Sequence, residues 1–179
     1  MFSYQKTVSA FTALILLTAG FFTLTSMIPH RCNFSGEWKL NNLKTRDGNF
    51  LCIYDPSDRM WSKTMKIAEE ANALTIQVSN SFPNLQVFSS REKLTFDGKE
   101  SEVKHVGRSK KFTAKLSPDG RSMTVNSVVY CLIEGKNEEF KVTEIWKLMN
   151  GGNTIAVHYD VASISQGDRV EDREYDKVN

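Results

Sequence analysis

The amino-acid sequence predicts an all-β fold, an antiparallel up-and-down meander of about eight strands that closes into a barrel. An N-terminal signal or anchor helix is predicted to precede it. Apolar and polar residues alternate along most of the chain after Arg31, with the period of two that is typical of strands. Residue pairs that favour tight hairpins separate the alternating segments. The N-terminal residues differ from the rest because they include a long stretch without charge.

The alternation is clearest in four segments of the C-terminal half, at residues 111–116, 123–131, 140–148 and 154–161. Shorter apolar segments precede them, at residues 36–40, 64–68, 74–79, 85–96 and 100–106. One side of each segment is apolar and the other is polar. This pattern is expected for the strands of an antiparallel sheet with a single buried face.

Turn residues separate these strands. Asp97-Gly98, Asp119-Gly120 and Gly151-Gly152 tolerate the positive φ of tight hairpins, and a further turn is predicted at residues 134–137. Every link after Leu74 is short. Parallel strands, which need crossovers of about a dozen residues, are therefore excluded there. Closing the meander into a barrel removes its exposed edges.

Two segments fall outside the strand pattern. Residues 41–59 form the longest irregular stretch, and we expect it to lie over one mouth of the barrel as a lid. Residues 167–179 are highly charged, and we interpret them as a frayed tail.

The segment from Val8 to Ile28 contains no charged residue, with Lys6 before it and Arg31 after it. A cation followed by an apolar stretch is typical of an export signal, and a stretch of this length can also span a bilayer. We assign residues 1–30 to a signal peptide or membrane anchor, and residues 31–179 to the barrel domain with the 167–179 tail. Both alternatives predict an exported domain, periplasmic, envelope-associated or secreted, that is membrane-anchored if residues 8–28 are not cleaved.

The composition excludes several classes of function. The chain has 179 residues, of which 40% are hydrophobic and 25% are charged, as in one globular domain. Lys and Arg number 23 and Asp and Glu number 21, so the formal net charge is +2. This balance gives no concentrated basic face and predicts no nucleic-acid partner. The composition does not determine the oligomeric state.

Motifs for catalysis or for a cofactor are absent from the sequence, which has no G-x-S-x-G, H-E-x-x-H, P-loop or G-x-G-x-x-G pattern. We therefore predict no enzyme activity, cofactor or metal, and interpret His105 and His158 as surface or hydrogen-bonded histidines. The three cysteines, Cys32, Cys52 and Cys131, allow one disulfide with one thiol left over. Burial as small apolar residues is the favoured role of Cys52 and Cys131.

Residues 34–41 read Phe-Ser-Gly-Glu-Trp-Lys-Leu-Asn. This segment resembles the first strand of the calycin superfamily, in which lipocalins carry Gly-x-Trp and fatty-acid-binding proteins carry Gly-x-Trp-Lys-Leu. The chain is most similar to a family of exported bacterial lipocalin-like domains without an established function. That resemblance covers about residues 34–160 and extends through residues 71–76, 93–101, 116–125 and 143–148. It implies a lipocalin-like barrel in the cell envelope.

Gly36 and Trp38 have structural roles that do not depend on this resemblance. A glycine allows the backbone to approach closely at a barrel end, and the indole ring fills that end with its N–H free to find a carbonyl. In lipocalins a basic residue near the end of the last strand packs on the Trp. Arg169 and Arg173 are the candidates in this chain.

The interior face of the barrel is the candidate binding site. Residues that share the interior alternation and are predicted to bind a ligand are Phe96, Phe112, Met123, Val125, Val142, Glu144, Trp146 and Tyr159. Glu144 is the one carboxylate among them. Together with Ser127 and Tyr159 it could anchor a polar head group. The alternative is that a bulge turns Glu144 outward or that a nearby Lys pairs with it.

We therefore expect a non-catalytic extracytoplasmic protein that binds a small apolar ligand, lipid or fatty-acid-like, in the barrel. The alternative is a solidly packed, envelope-associated interaction or structural module with no small ligand. An elongated cavity beneath residues 42–59 would favour the first hypothesis. Large interior aromatic residues without a void would favour the second.

Overall fold

The computed structural model describes residues 34–41, 59–80, 88–105, 107–133, 135–164 and 167–178. The predicted signal or anchor at residues 1–30, the predicted lid at residues 42–58 and the cysteines Cys32 and Cys52 lie outside these ranges. Cys131 lies within them and is buried. Within the described part of the chain, no helix has the length and apolar character needed to cross a membrane.

The described residues confirm the all-β antiparallel fold and contain ten strands, against about eight expected. Two short 3-10 helices, Arg59–Trp61 and Asn150–Gly152, accompany them. The strands are β1 (Gly36–Leu40), β2 (Thr64–Glu70), β3 (Ala73–Asn80), β4 (Phe88–Thr95), β5 (Ser101–His105), β6 (Arg108–Leu116), β7 (Ser122–Ile133), β8 (Lys136–Met149), β9 (Thr154–Ser163) and β10 (Arg169–Lys177).

The strands form one sheet in the order β4-β3-β2-β1-β10-β9-β8-β7-β6-β5, and every neighbouring pair is antiparallel. The first and last strands pair at the centre of this order, and the two edge strands, β4 and β5, follow each other along the chain. The sheet therefore curls into a nearly closed barrel. β4 also approaches β6, although no ladder of hydrogen bonds joins β4 to β5 among the strands described here.

The predicted hairpin residues connect consecutive strands. Asp97-Gly98 lies between β4 and β5, Asp119-Gly120 between β6 and β7, and Gly151-Gly152 between β8 and β9. Gly120 has a φ of 66° and Gly98 a φ of 75°, in the left-handed region that glycine adopts without strain. The predicted turn chemistry therefore produces the observed meander.

The interpretation of residues 167–179 as a frayed tail was wrong, because most of this segment forms a strand. Arg169–Lys177 is β10, which pairs with β9 on one side and with β1 on the other. The side chains of Glu171, Arg173 and Tyr175 are buried on its inner side, whereas Asp172 is exposed on its outer side. The apolar alternation that marks other strands is absent because two of the inward positions are charged.

Trp38 closes one end of the barrel. Its side chain is fully buried, and its Nε1 donates a hydrogen bond to the carbonyl of Phe34 at 2.9 Å. The basic residue that packs on the ring is Lys177, whose Nζ lies 5.3 Å from the ring centroid, and not Arg169 or Arg173. Gly36 has a φ of 140°, and a Cβ there would lie 2.7 Å from Cε of Lys177. The glycine thus lets the lysine cross the strand and reach the indole.

We expect Trp38→Ala to lower the free energy of unfolding by about 3–5 kcal/mol, because it removes a fully buried ring and leaves a cavity. Urea denaturation followed by circular dichroism measures this loss. The control is Leu132→Ala on the outer side of β7, where Leu132 is 58% exposed. This substitution should change the free energy of unfolding by no more than about 0.5 kcal/mol. Equal losses in both variants would contradict the structural role of Trp38.

Candidate functional site

The strand register places three inward residues of the C-terminal half side by side. Val125 on β7 lies opposite Glu144 on β8, which lies opposite Tyr159 on β9. Ser127, two residues along β7, lies opposite Val142. Alternation along each strand sends these side chains to the same face of the sheet. The sheet thereby brings polar groups from three strands together in the interior.

The residues predicted to bind a ligand all lie on or beside this inner face. Seven of them are buried: Phe112, Met123, Val125, Val142, Glu144, Trp146 and Tyr159. Phe96 directly follows β4, is half-buried and packs against the core. Their location agrees with the predicted interior, whereas their contact with a ligand stays a prediction.

Glu144 points inward and is fully buried, and Arg59 holds it. Arg59 lies in the 3-10 helix before β2, and its guanidinium grips the carboxylate with two nitrogens. Nε donates to Oε2 at 3.1 Å and Nη2 donates to Oε1 at 2.6 Å. The indole Nε1 of Trp146 also donates to Oε2, at 3.0 Å. The alternative in which a bulge turns Glu144 outward is therefore wrong. Glu144 instead pairs with a cation, Arg59.

Two further charged residues complete what we call the ionic cluster: Arg59, Glu92, Lys110 and Glu144. Arg59 donates from Nη1 to Glu92 on β4. Nζ of the buried Lys110, on β6, lies 3.7 Å from Oε1 of Glu92 and 4.0 Å from Oε1 of Glu144. Two basic and two acidic groups give the ionic cluster a formal charge of zero. Both cations also lie near the ring of Phe112, at 5.4 Å and 5.8 Å from its centroid.

A second buried ion pair lies on β10. Arg173 donates a hydrogen bond to Glu171, and its Cζ lies 5.8 Å from the ring centroid of Tyr159. The hydroxyl of Tyr175 donates to the carbonyl of Ser62 at 3.2 Å. Burial raises the pKa of Tyr175, so this hydroxyl keeps its proton. Buried charges and polar groups normally need such partners.

Two buried hydroxyls among the described residues lack a hydrogen-bond partner. Ser127 Oγ and Tyr159 Oη have no hydrogen-bond partner among the described residues, although Ser127 is only 4% exposed and Tyr159 only 1%. Burial, followed by the nearby Tyr175 and Glu144, raises the pKa of Tyr159 well above its usual value. Tyr159 therefore keeps its proton and offers both a donor and an acceptor. An unsatisfied buried hydroxyl costs about 1–3 kcal/mol.

The centre of the inner face is closed to water. Val125, Glu144 and Trp146 are 0% exposed, so neither solvent nor a water-sized void touches them. The inward apolar residues that are only half-buried include Phe96, Val103 and Leu116. Val103 lies on the edge strand β5, and Phe96 directly follows the other edge strand. The edge where β4 and β5 meet therefore carries accessible apolar surface.

A separate groove of about 690 Å³ lies across β8, β9 and β10, and outward residues form most of its lining. His158 sits in it with Nδ1 at 2.6 Å from Oδ1 of Asp172 and Nε2 at 3.4 Å from Oδ1 of Asp160. The hydrogen bond to Asp172 raises the pKa of His158. Its position agrees with the prediction of a hydrogen-bonded surface histidine. The described residues contain no group of three or more His, Cys, Asp or Glu side chains that could hold a metal.

Sequence reasoning identified Glu144, Ser127 and Tyr159 but missed the other charged residues of the interior. Arg59 lies in a stretch with no strand pattern. Lys110 shares the alternation of Phe112 and Ala114, and this was the signal that could have located it. The positive charge of Lys110 instead favoured a position on the outer face, because an unpaired lysine is rarely buried.

A comparison of the chain with protein-family models gives no match, and a comparison with curated proteins gives none either. Among solved structures, the chain is similar to the zebrafish ileal bile acid-binding protein complexed with cholic acid (crystal form B). The two chains share 17% sequence identity with a TM-score of 0.46, over 81% of this chain and 98% of that one.

We expect His158→Gln to lower the free energy of unfolding at acidic pH by less than about 1 kcal/mol, because the ion pair is partly exposed. The pKa of His158 is raised above its ordinary value of 6.5, so the folded state favours the protonated ring. The stabilisation is therefore complete below about pH 6.5 and is lost as pH rises through the folded-state pKa. Urea denaturation of both proteins across this range measures the difference, and Asp172→Asn should show the same trend. A difference that grows with rising pH would contradict this assignment.

Proposed function

We propose that the protein is a non-catalytic binding protein that takes a small, largely apolar ligand, lipid or fatty-acid-like, into the barrel interior. The observation that carries the proposal is the buried hydroxyl of Tyr159, which has no hydrogen-bond partner in the described part of the chain and lies in a mostly apolar interior. A phenylalanine would fill the same space without the cost of an unsatisfied hydroxyl. A ligand group that hydrogen-bonds to this oxygen explains why the residue is a tyrosine, whereas a solidly packed core does not.

The walls of the interior suit an apolar ligand body. Most of the inward residues on β6 to β9 are aliphatic or aromatic. Each methylene group removed from water contributes about 0.8 kcal/mol. Because the interior is closed, binding requires inward side chains to move. Met60, Met65 and Met123 are buried there, and methionine repacks readily around new neighbours because its chain is unbranched and flexible.

The edge between β4 and β5 supports a route of entry. No ladder of hydrogen bonds joins these two strands in the described sheet, so they can separate without breaking backbone pairing. Phe96, Val103 and Leu116 offer half-buried apolar surface there. An apolar molecule would meet a partly hydrophobic entrance before it reached the ionic cluster.

The interior carboxylates argue for binding rather than catalysis. A general acid or base has to reach a substrate proton with a free oxygen or proton. Glu144 instead accepts hydrogen bonds from Arg59 and Trp146, and Arg59 also bonds Glu92. These groups are arranged to neutralise one another.

A packed envelope module without a ligand is the second candidate. The near-zero exposure of the interior residues, including both large rings Trp38 and Trp146, favours it. A module of this kind would retain Tyr159 at a cost in stability and would take up no apolar probe. Probe binding therefore separates the two candidates.

We also propose that the domain acts outside the cytoplasm, as a member of the exported bacterial lipocalin-like domains that the sequence resembles. The charge-free segment from Val8 to Ile28, with Lys6 before it, supports export. Retention of this segment would anchor the domain to the membrane.

The delipidated protein should bind the neutral fluorescent probe N-phenylnaphthylamine with a micromolar dissociation constant, roughly −8 kcal/mol. Val103→Asp should weaken binding by about tenfold or more, because it places a carboxylate among the apolar side chains at the entrance. Fluorescence titration measures both. Lys104→Asp is the matched control, because the same new residue then lies on the outer side of the same strand. Equal weakening in both variants would contradict the proposed entrance, and a folded wild type that takes up no probe would support the packed module.

A reporter enzyme that is active only in the cytoplasm, fused to the C-terminus, should give no signal if residues 8–28 direct export. Removing residues 1–30 from the same fusion should restore the signal and serves as the control. Bright reporter activity from the soluble full-length fusion would rule out export.

A further inference from the structure

We infer that the polar group this interior recognises on its ligand is uncharged, a hydroxyl or a similar neutral donor and acceptor, and not a carboxylate or an amine. The inference rests on the proposed function and specifies its ligand class. It follows from the charge balance of the ionic cluster and from the residues that flank Tyr159.

Three of the buried cations, Arg59, Lys110 and Arg173, already lie against carboxylates of the protein. Arg59 uses Nε and Nη2 on Glu144 and Nη1 on Glu92. These bonds take three of the five N–H donors of Arg59, so an anionic head group would compete with both carboxylates for the guanidinium and would tend to displace one of them. The displaced group would then be buried without its partner, which is strongly unfavourable in a closed interior.

The surroundings of Tyr159 also disfavour an anion. In the strand register, Tyr159 lies opposite Glu144 on one side and opposite Glu171 on the other. A carboxylate bound at its hydroxyl would approach two carboxylates that Arg59 and Arg173 already neutralise, so it would bring an uncompensated negative charge into the barrel. Like charges at short range repel strongly in a low-dielectric interior.

A cationic head group is disfavoured as well, because it would lie near cations of the protein. The guanidinium of Arg173 lies over the ring of Tyr159, and Arg59 and Lys110 lie near Phe112 on the same inner face. These three cations are already matched by Glu171, Glu92 and Glu144. An added positive charge would find no spare carboxylate among them.

A neutral hydroxyl satisfies Tyr159 without disturbing this balance. The phenol keeps its proton, so it can donate to the ligand oxygen and accept from the ligand hydrogen. Ser127 Oγ, two strands away on the same face, is the second hydroxyl that is unpartnered within the described ranges. A monoacylglycerol carries an apolar chain and a neutral head group with hydroxyls, which is the chemistry that this face matches. Hydrophobic burial then supplies affinity, and the two protein hydroxyls supply selectivity.

The experiment is competition against N-phenylnaphthylamine by ligands that share one apolar chain: decanol, monodecanoylglycerol and decanoate at pH 8. We expect the two neutral ligands to displace the probe from the wild-type protein at concentrations about tenfold lower than decanoate. Greater hydrophobicity alone could produce this order, so the variants below decide the matter.

Tyr159→Phe should weaken decanol and monodecanoylglycerol by about fivefold to tenfold and leave decanoate unchanged, because only the neutral ligands use the hydroxyl. Its thermal midpoint should not fall, since the removed oxygen has no described partner. Tyr175→Phe is the matched control. That hydroxyl already donates to Ser62, so its loss should lower the midpoint and leave the ligand preference unchanged.

Glu92→Gln should shift the preference toward the anion, because it leaves the ionic cluster with one uncompensated positive charge. Glu92 has a side-chain exposure of 12%, so the substitution is not made in the deepest part of the core. We expect decanoate to bind about tenfold more tightly and decanol to be unaffected.

Three outcomes would overturn the inference. These are a wild-type preference for decanoate, equal weakening of all three ligands by Tyr159→Phe, and no gain for decanoate in Glu92→Gln. Each of them leaves the proposed function standing, because each requires that the probe binds. A folded wild type that binds no probe would instead refute the proposed function and this inference together.

Discussion

The pairing of Arg59 with the carboxylates of Glu92 and Glu144 is the interaction on which the rest of the barrel depends. A buried arginine stays charged, so it needs carboxylates within reach. Those carboxylates come from β4 and β8, on opposite sides of the sheet order, and Arg59 itself precedes β2. One guanidinium therefore ties together three parts of the chain that backbone pairing does not bring into contact.

The same cluster acts where the sheet is weakest. β4 and β5 are the two edges of the described sheet, and edges left without pairing are a liability in β proteins. Glu92 on β4, at one end of the sheet order, lies 3.7 Å from Lys110 on β6, next to the strand at the other end. Side-chain charge thus closes the barrel where a hydrogen-bond ladder does not. Ion pairs can separate and re-form without unravelling a strand, which a ladder cannot do as easily.

Sequence periodicity predicted the meander because most inward positions are apolar, as at Phe112, Val125 and Trp146. It failed at β10, where the inward residues Glu171 and Arg173 are charged and the period of two disappears from the hydrophobicity pattern. The site was partly predictable for a similar reason. The inward position of Glu144 follows from its alternation with Trp146, but its partner Arg59 lies in an irregular stretch. Contacts between residues so distant along the chain depend on barrel closure, which a single sequence does not encode locally.

Buried ion pairs are a poor way to gain stability. Replacing them with well-packed apolar residues is often neutral or stabilising, because removing charges from water is costly. A barrel selected only to be solid would be expected to fill this region with aliphatic side chains, and it would have phenylalanine in place of Tyr159. The retention of the ionic cluster, of the Arg173–Glu171 pair and of two buried hydroxyls that have no partner among the described residues therefore calls for a reason other than packing. The neutral ligand group that we propose would supply that reason, because it would complete the hydrogen bonds of the hydroxyls and leave the charges paired.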